Sequence, residues 1–146
     1  MCKAAEVGKI VVNKCLDKGL LINTQKLQKL LVLMQLECVK RSGKPLFKED
    51  VVLWDCGVAI KEVDIAFSSA AMGFDSYQEE YISLLDKELE SVEFVLENYG
   101  DKSAHEISKL NRLEELSCLG QRNEETGTRH ITADVILEKY RTNDDR

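Results

Sequence analysis

Five cysteines, two histidines and twenty-six carboxylates are the side chains in this 146-residue chain that could catalyse a reaction or hold a metal. Cys2, Cys15, Cys38, Cys56 and Cys118 form an odd set with no C-x-x-C pair, so their spacing supports neither a disulfide framework nor a zinc knuckle. They read as reduced, mostly buried thiols. A nucleophilic thiol would need a neighbour that stabilises its thiolate. His105 and His130 are the available histidines, and neither sits in a motif. The carboxylate pairs Glu79 with Glu80, Glu114 with Glu115, and Asp144 with Asp145 are adjacent in sequence, which on a helix turns them about 100° apart and away from any common substrate. The sequence carries no phosphate-cradling glycine loop, no H-E-x-x-H and no nucleophile elbow. The expectation is a protein with no catalytic residue, no metal and no cofactor, which acts by binding.

Composition sets the frame for that binder. With 44% hydrophobic residues, 32% charged residues and a single proline, the chain has the make-up of a folded protein. Its length fits one core that buries roughly two thirds of the extended surface. No apolar run approaches the ~18 residues of a membrane span, and no basic start leads into a cleavable apolar segment, so a cytoplasmic protein with no membrane partner is expected. Charge is uneven. Up to Lys48 there are ten basic residues against Glu6, Asp17 and Glu37, and beyond it ten against twenty-three, which together give the net charge of −6. Lys3, Lys9, Lys14, Lys18, Lys26, Lys29, Lys40 and Arg41 could steer an acidic partner; equally, they could be a solvated surface balanced within the molecule. Nucleic acid is disfavoured, because aromatics do not interleave with the basic residues, no reading-helix motif is present and the net charge is negative.

The elements that would carry these groups are mostly helices. Ala4, Val7, Val11, Cys15 and Leu16 recur at helical steps up to Gly19. Asn23 or Thr24 can cap a second helix, Asn23 with Ile22 and Leu27 as a staple, and Leu27, Leu30, Leu31, Met34 and Cys38 share one face until Gly43. Pro45 and the β-branched run Val51, Val52 and then Trp54 predict a small hairpin with arms at 46–47 and 51–54. A third helix is expected from Val58 through Ala70, stopping near Gly73. A long fourth should open at a Ser76–Glu79 capping box and carry Tyr81, Leu84, Leu85, Leu89, Val92, Val95, Leu96 and Tyr99 as its apolar stripe. Ser103 with Glu106 opens a short helix that is broken and resumed through Leu113 and Leu116. The polar stretch from Gln121 to Arg129 reads as a mobile loop, and Thr132 caps the last helix. The fold class is therefore mainly α: a compact single-domain bundle of about six helices with one small β-hairpin, occupying 1–141, with a frayed tail at 142–146.

Three blocks of residues resemble a known family. Thr24, Lys26, Leu27, Gln28, Lys29, Leu30 and Leu31, then Gly43 to Phe47, then Trp54 and Gly57, are similar to the Panacea antitoxin domain, also met as SocA-like and phage-associated proteins. That pattern runs roughly N-x-K-L-Q-K-L-L-Y, G-K-P-L-F, A-W-x-x-G-P-V. Tyr99, Gly100, Ser103, Ala104, Ile107, Ser108 and Leu110 continue the likeness. Departures occur at Val58 and Lys61, where the family has prolines, at Asp64 in place of an aromatic, and at Asn111 and Arg112 in place of a Thr-His pair. The resemblance implies an antitoxin of bacterial or phage-infected cells that binds a cognate toxin protein directly. In SocA-like members it also implies an adaptor that hands the toxin to a Clp-type protease. On the residues that match or replace the pattern, the implied partner-binding set is Lys26, Gln28, Lys29, Trp54, Gly57, Lys61, Asn111 and Arg112. Lys26 and Lys29 are expected to face outward from the second helix, and Trp54 either plugs the core or anchors a partner. Two other readings stay open on the residues alone: a phage or prophage regulator that binds a host protein or nucleic acid, and a hydrolase using Cys and His.

Overall fold

Local capping fixes where the helices begin. The Asn23 side chain accepts a hydrogen bond from the Lys26 amide at 2.8 Å, supplying one of the partners that a helix start lacks. The helix it opens, Thr24–Ser42, closes on Gly43 in the left-handed region at φ 72°. In the computed structural model, which describes residues 2–54, 57–70, 73–122 and 128–140, the order is α1 (Ala4–Asp17), α2 (Thr24–Ser42), β1 (Val51–Trp54), β2 (Gly57–Ala59), α3 (Lys61–Ala66), a 3₁₀ turn (Ser68–Ala70), α4 (Asp86–Tyr99), α5 (Ala104–Ser108), α6 (Asn111–Ser117), β3 (Gln121–Arg122), β4 (Arg129–Ile131) and α7 (Ala133–Tyr140). The expected tail at 142–146 lies outside the described residues.

The architecture is mainly α with a small antiparallel sheet of order β2-β1-β4-β3. At its centre is α2, which packs against α1, α3, α4, α5, α7 and β2. The sequence placed a single apolar face on α2, but Val32, Leu33, Leu36 and Val39 are as buried as Leu27, Leu30, Leu31 and Met34. A helix buried on all sides belongs at the middle of a bundle. No helix among the described residues is long and apolar enough to cross a membrane.

Four elements differ from expectation. The loop read at 121–129 has strands at both ends, with Gln121 and Arg122 of β3 paired to His130 and Arg129 of β4, and its residues 123–127 lie outside the described ones. The hairpin is formed by β1 and β2, with Trp54 paired to Gly57, and β1 pairs on its other side with β4. The expected arm at 46–47 stays out of the sheet because the amides of Leu46 and Phe47 both donate to Gln35 Oε1, at 2.7 and 3.2 Å, and Phe47 bridges to Cys2. Val58, read as helical, lies in β2, so the third helix shortens to Lys61–Ala66. Finally, the Ser76–Glu79 box does not form. Asn13 takes the backbone of Gln78 from both sides, donating to its carbonyl at 2.8 Å and accepting from its amide at 2.7 Å. The segment 74–85 therefore crosses α1 without helical structure, and α4 opens only at Asp86, where Glu88 reaches back to the Leu85 amide at 2.8 Å. The Ser103–Glu106 box and the Thr132 cap form as read.

Candidate functional site

The second helix carries polar side chains inside the bundle, and each holds down a neighbouring segment. Thr24 Oγ1 donates to the Phe67 carbonyl at 2.6 Å. Gln28 accepts from the Ile60 amide at 2.7 Å and donates to Asp64 at 3.3 Å. Gln35 holds Leu46 and Phe47, adding a bond from its Nε2 to the Phe47 carbonyl at 2.7 Å. Glu37 accepts from Arg41 Nε at 2.8 Å and from Arg112 at 3.4 Å. Buried polar groups are tolerated when paired in this way, and removing one partner strands the other.

Lys26 and Lys29 belong to the same interior set, contrary to the expectation that they point outward: their exposures are 6% and 2%. The Lys26 ammonium donates to the carbonyls of Leu21 at 2.7 Å and Gly100 at 2.6 Å, tying the α1–α2 loop to the end of α4. Burial lowers its pKa from the usual lysine value, with Cys15, Asp101 and Glu106 acting in the opposite sense. Lys29 lies under the hairpin. A side-chain carbon at Gly57 would stand 3.5 Å from its ammonium, and Gly57 has φ 109°, a conformation that L side chains rarely adopt. The Lys26-Leu27-Gln28-Lys29 run, with Gly57 beyond it, is thus a device for positioning loops around a central helix.

The remaining members of the sequence-derived set divide between surface and interior. Lys61 and Asn111 are exposed, each at the first position of its helix, while Trp54 and Gly57 are half-buried in the hairpin. Arg112 is turned back onto Glu37. The fold brings Gln28, Lys29 and Gly57 together beneath the hairpin and holds Lys26 against the turn that precedes α5. The basic surface is smaller than the sequence suggested: Lys9 pairs with Glu6 at 3.6 Å, Lys14 and Lys18 pair with Glu93 at 3.1 and 3.7 Å, and Arg41 pairs with Glu37 and Glu90. These lysines coat and balance helix surfaces.

The family model for the antitoxin SocA-like, Panacea domain matches residues 27–116, from α2 through nearly all of α6. The chain belongs to this family. No curated protein and no solved structure matches the chain. In this Panacea domain the matched stretch holds the interior residues Gln28, Lys29, Gln35 and Glu37 and the β1–β2 hairpin, whereas Lys26 lies one residue before it. Sequence reasoning missed the exposed apolar residues of 77–89. Tyr77, Tyr81, Leu85 and Leu89 stand at four-residue steps, which reads as a buried helical stripe, yet all four are exposed. The available signal was the density of carboxylates among them.

Proposed function

We propose that this Panacea-family chain is an antitoxin that neutralises a toxin protein by binding it directly, without chemistry of its own. The observation that supports this reading is the match to the antitoxin SocA-like domain over residues 27–116. The interior role of Lys26, Gln28 and Lys29 directs the partner contact to the outer members of the set: Trp54 and Gly57 of the hairpin, Lys61 at the start of α3, Asn111, and the open side of Arg112. Three of these positions, Lys61, Asn111 and Arg112, are departures from the family pattern, which suits tuning toward one particular toxin. A stable one-to-one complex would bury on the order of 1,600 Å² in all, with Trp54 as an aromatic anchor and Lys61 setting salt dependence. An adaptor role would add delivery of the bound toxin to a Clp-type protease.

The test is co-expression with the toxin encoded beside this chain. Protection is expected, together with co-purification of the two proteins at moderate salt. Trp54→Ala and Lys61→Glu should each weaken the complex by about tenfold or more while leaving the circular dichroism unchanged. Cells left unprotected by the folded wild-type chain would overturn the antitoxin reading. Full protection by both variants would move the contact elsewhere on the molecule.

A further inference from the structure

The segment between the 3₁₀ turn and α4 carries more outward apolar surface than any tether explains. Tyr81 and Leu85 are 69% and 72% exposed, and Tyr77 and Leu89 accompany them. Ile82 and Leu84 are half-buried and pack against the core cluster, so the segment is held down while its larger side chains face out. Its rings are fixed: the Tyr77 hydroxyl donates to Asp17 at 2.5 Å, the Tyr81 hydroxyl donates to Glu79, and the Lys9 ammonium lies 5.0 Å from the centre of the Tyr81 ring. Leu84 and Leu85 form a ridge between two grooves. One runs along Ile10, Asn13, Asp17 and Lys14 of α1, the lysine already paired with Glu93, with Glu80 and Leu89. The other is lined by Cys38, Ser42 and Pro45, with Lys44 and Lys87 beside Asp86 and Glu88.

Charge identifies what fits there. Between Asp75 and Glu90 the sequence has six carboxylates and one lysine. Of these, Asp75, Glu79, Glu80, Asp86 and Glu88 have no cationic group within 4.0 Å among the described residues. Glu88 is committed to the start of α4, but the excess of carboxylates over lysine along 75–90 leaves the apolar anchors in a net negative surround, which complements a segment that presents leucine-like side chains and lysine or arginine together. The same field repels phosphate-bearing surfaces, both lipid and nucleic acid. It also opposes self-association, since a two-fold contact would set these carboxylates against their own copies.

We propose that the ridge Tyr81–Leu85–Leu89 and its flanking grooves form a docking surface for a cationic amphipathic segment of a partner protein. This surface is separate from the hairpin, and the proposal does not rest on the antitoxin reading. The probe is a leucine–lysine peptide of about 15 residues, long enough to be helical once bound, titrated into the full-length chain. A leucine–glutamate peptide of equal length and an all-lysine peptide serve as controls. Saturable binding of the leucine–lysine peptide is expected, with amide shift changes concentrated in 75–90 and little response to either control. The double variants Tyr81→Ser with Leu85→Ser, and Glu79→Lys with Glu80→Lys, should each weaken binding by about tenfold with amide spectra otherwise unchanged. The proposal is overturned by no binding, by shift changes centred elsewhere, by unchanged affinity in both variants, or by a wild-type dimer that either variant dissolves. Because the probe is not a toxin, failure here leaves the antitoxin reading standing, and success here does not rescue it.

Discussion

Lys26 is an ammonium inside the protein that donates to two backbone carbonyls, so its removal strands acceptors in two different segments. Lys26→Met keeps the length of the side chain and loses both donors. A loss of ~1–3 kcal/mol is expected in urea unfolding, reduced to the extent that a desolvated charge has also been removed; an unchanged midpoint would show that the bonds to Leu21 and Gly100 carry no weight. Its neighbour Cys15 supplies a pH signature. Burial raises its thiol to about 11 from 9.0, so between those values the unfolded chain ionises at this site while the folded one does not, and stability falls as pH rises. Relative to Cys15→Ala, whose packing cost is constant with pH, the wild type should lose on the order of 2 kcal/mol across that window. Parallel stability curves for the two proteins from pH 9 to 11 would contradict the burial argument. The same burial separates the thiols by reactivity: in the native protein at pH 8, alkylation followed by peptide mapping should find Cys118, which is exposed, labelled well before Cys15 and Cys38, which are buried.

Elements whose signals were local were legible from the sequence, and those decided by distant partners were not. Asn23, the Ser103–Glu106 box and Thr132 each act within three residues, and each marks the helix start that the sequence suggested. The 74–85 segment has strong helical periodicity and a plausible box, yet Asn13, 65 residues away, takes the backbone of Gln78 and keeps the segment extended over α1. The sheet was under-read for the same reason, since β1 gains its second neighbour from residues 129–131. At the candidate site, the lysines of α2 were read as outward because charge usually is outward; nothing within a few residues of Lys26 announces the Gly100 carbonyl that receives it. Periodicity also assigned Leu30 and Leu89 alike to the core, whereas Leu30 is fully buried and Leu89 is 39% exposed. Leu30→Ala should therefore cost ~2–5 kcal/mol through transfer and cavity terms, and Leu89→Ala under ~1 kcal/mol. Equal losses in thermal unfolding would place Leu89 back in the core and remove it from the proposed docking ridge.

At the scale of the whole molecule, the stretch that defines the family is not the stretch that completes the core. Residues 27–116 contain the central helix from Leu27 onward and most of its tethers, but α2 is covered on one side by α1 and on another by α7. Val7, Val11 and Val12 from α1, Ile131 from β4 and Ile136 from α7 are buried to within 1% of completely. At ~1.5–3 kcal/mol for each buried aliphatic side chain, those five contribute roughly 7–15 kcal/mol, against a total stability of ~5–15 kcal/mol for a domain of ordinary size. Excision also removes the β4 partner of β1 and the Asn13 anchor of the 74–85 segment, so the hairpin and the ridge would lose their supports together. The fragment 27–116 should accordingly show no cooperative thermal transition and poor amide dispersion, and adding back 1–26 without 117–146 should not restore either. A sharp two-state melt from 27–116 alone would mean that the shared stretch is self-sufficient and that α1, β4 and α7 are additions to it. In that case the partner-binding surfaces could be tested on the short fragment, whereas the packing described here requires every binding and protection assay to use the full chain.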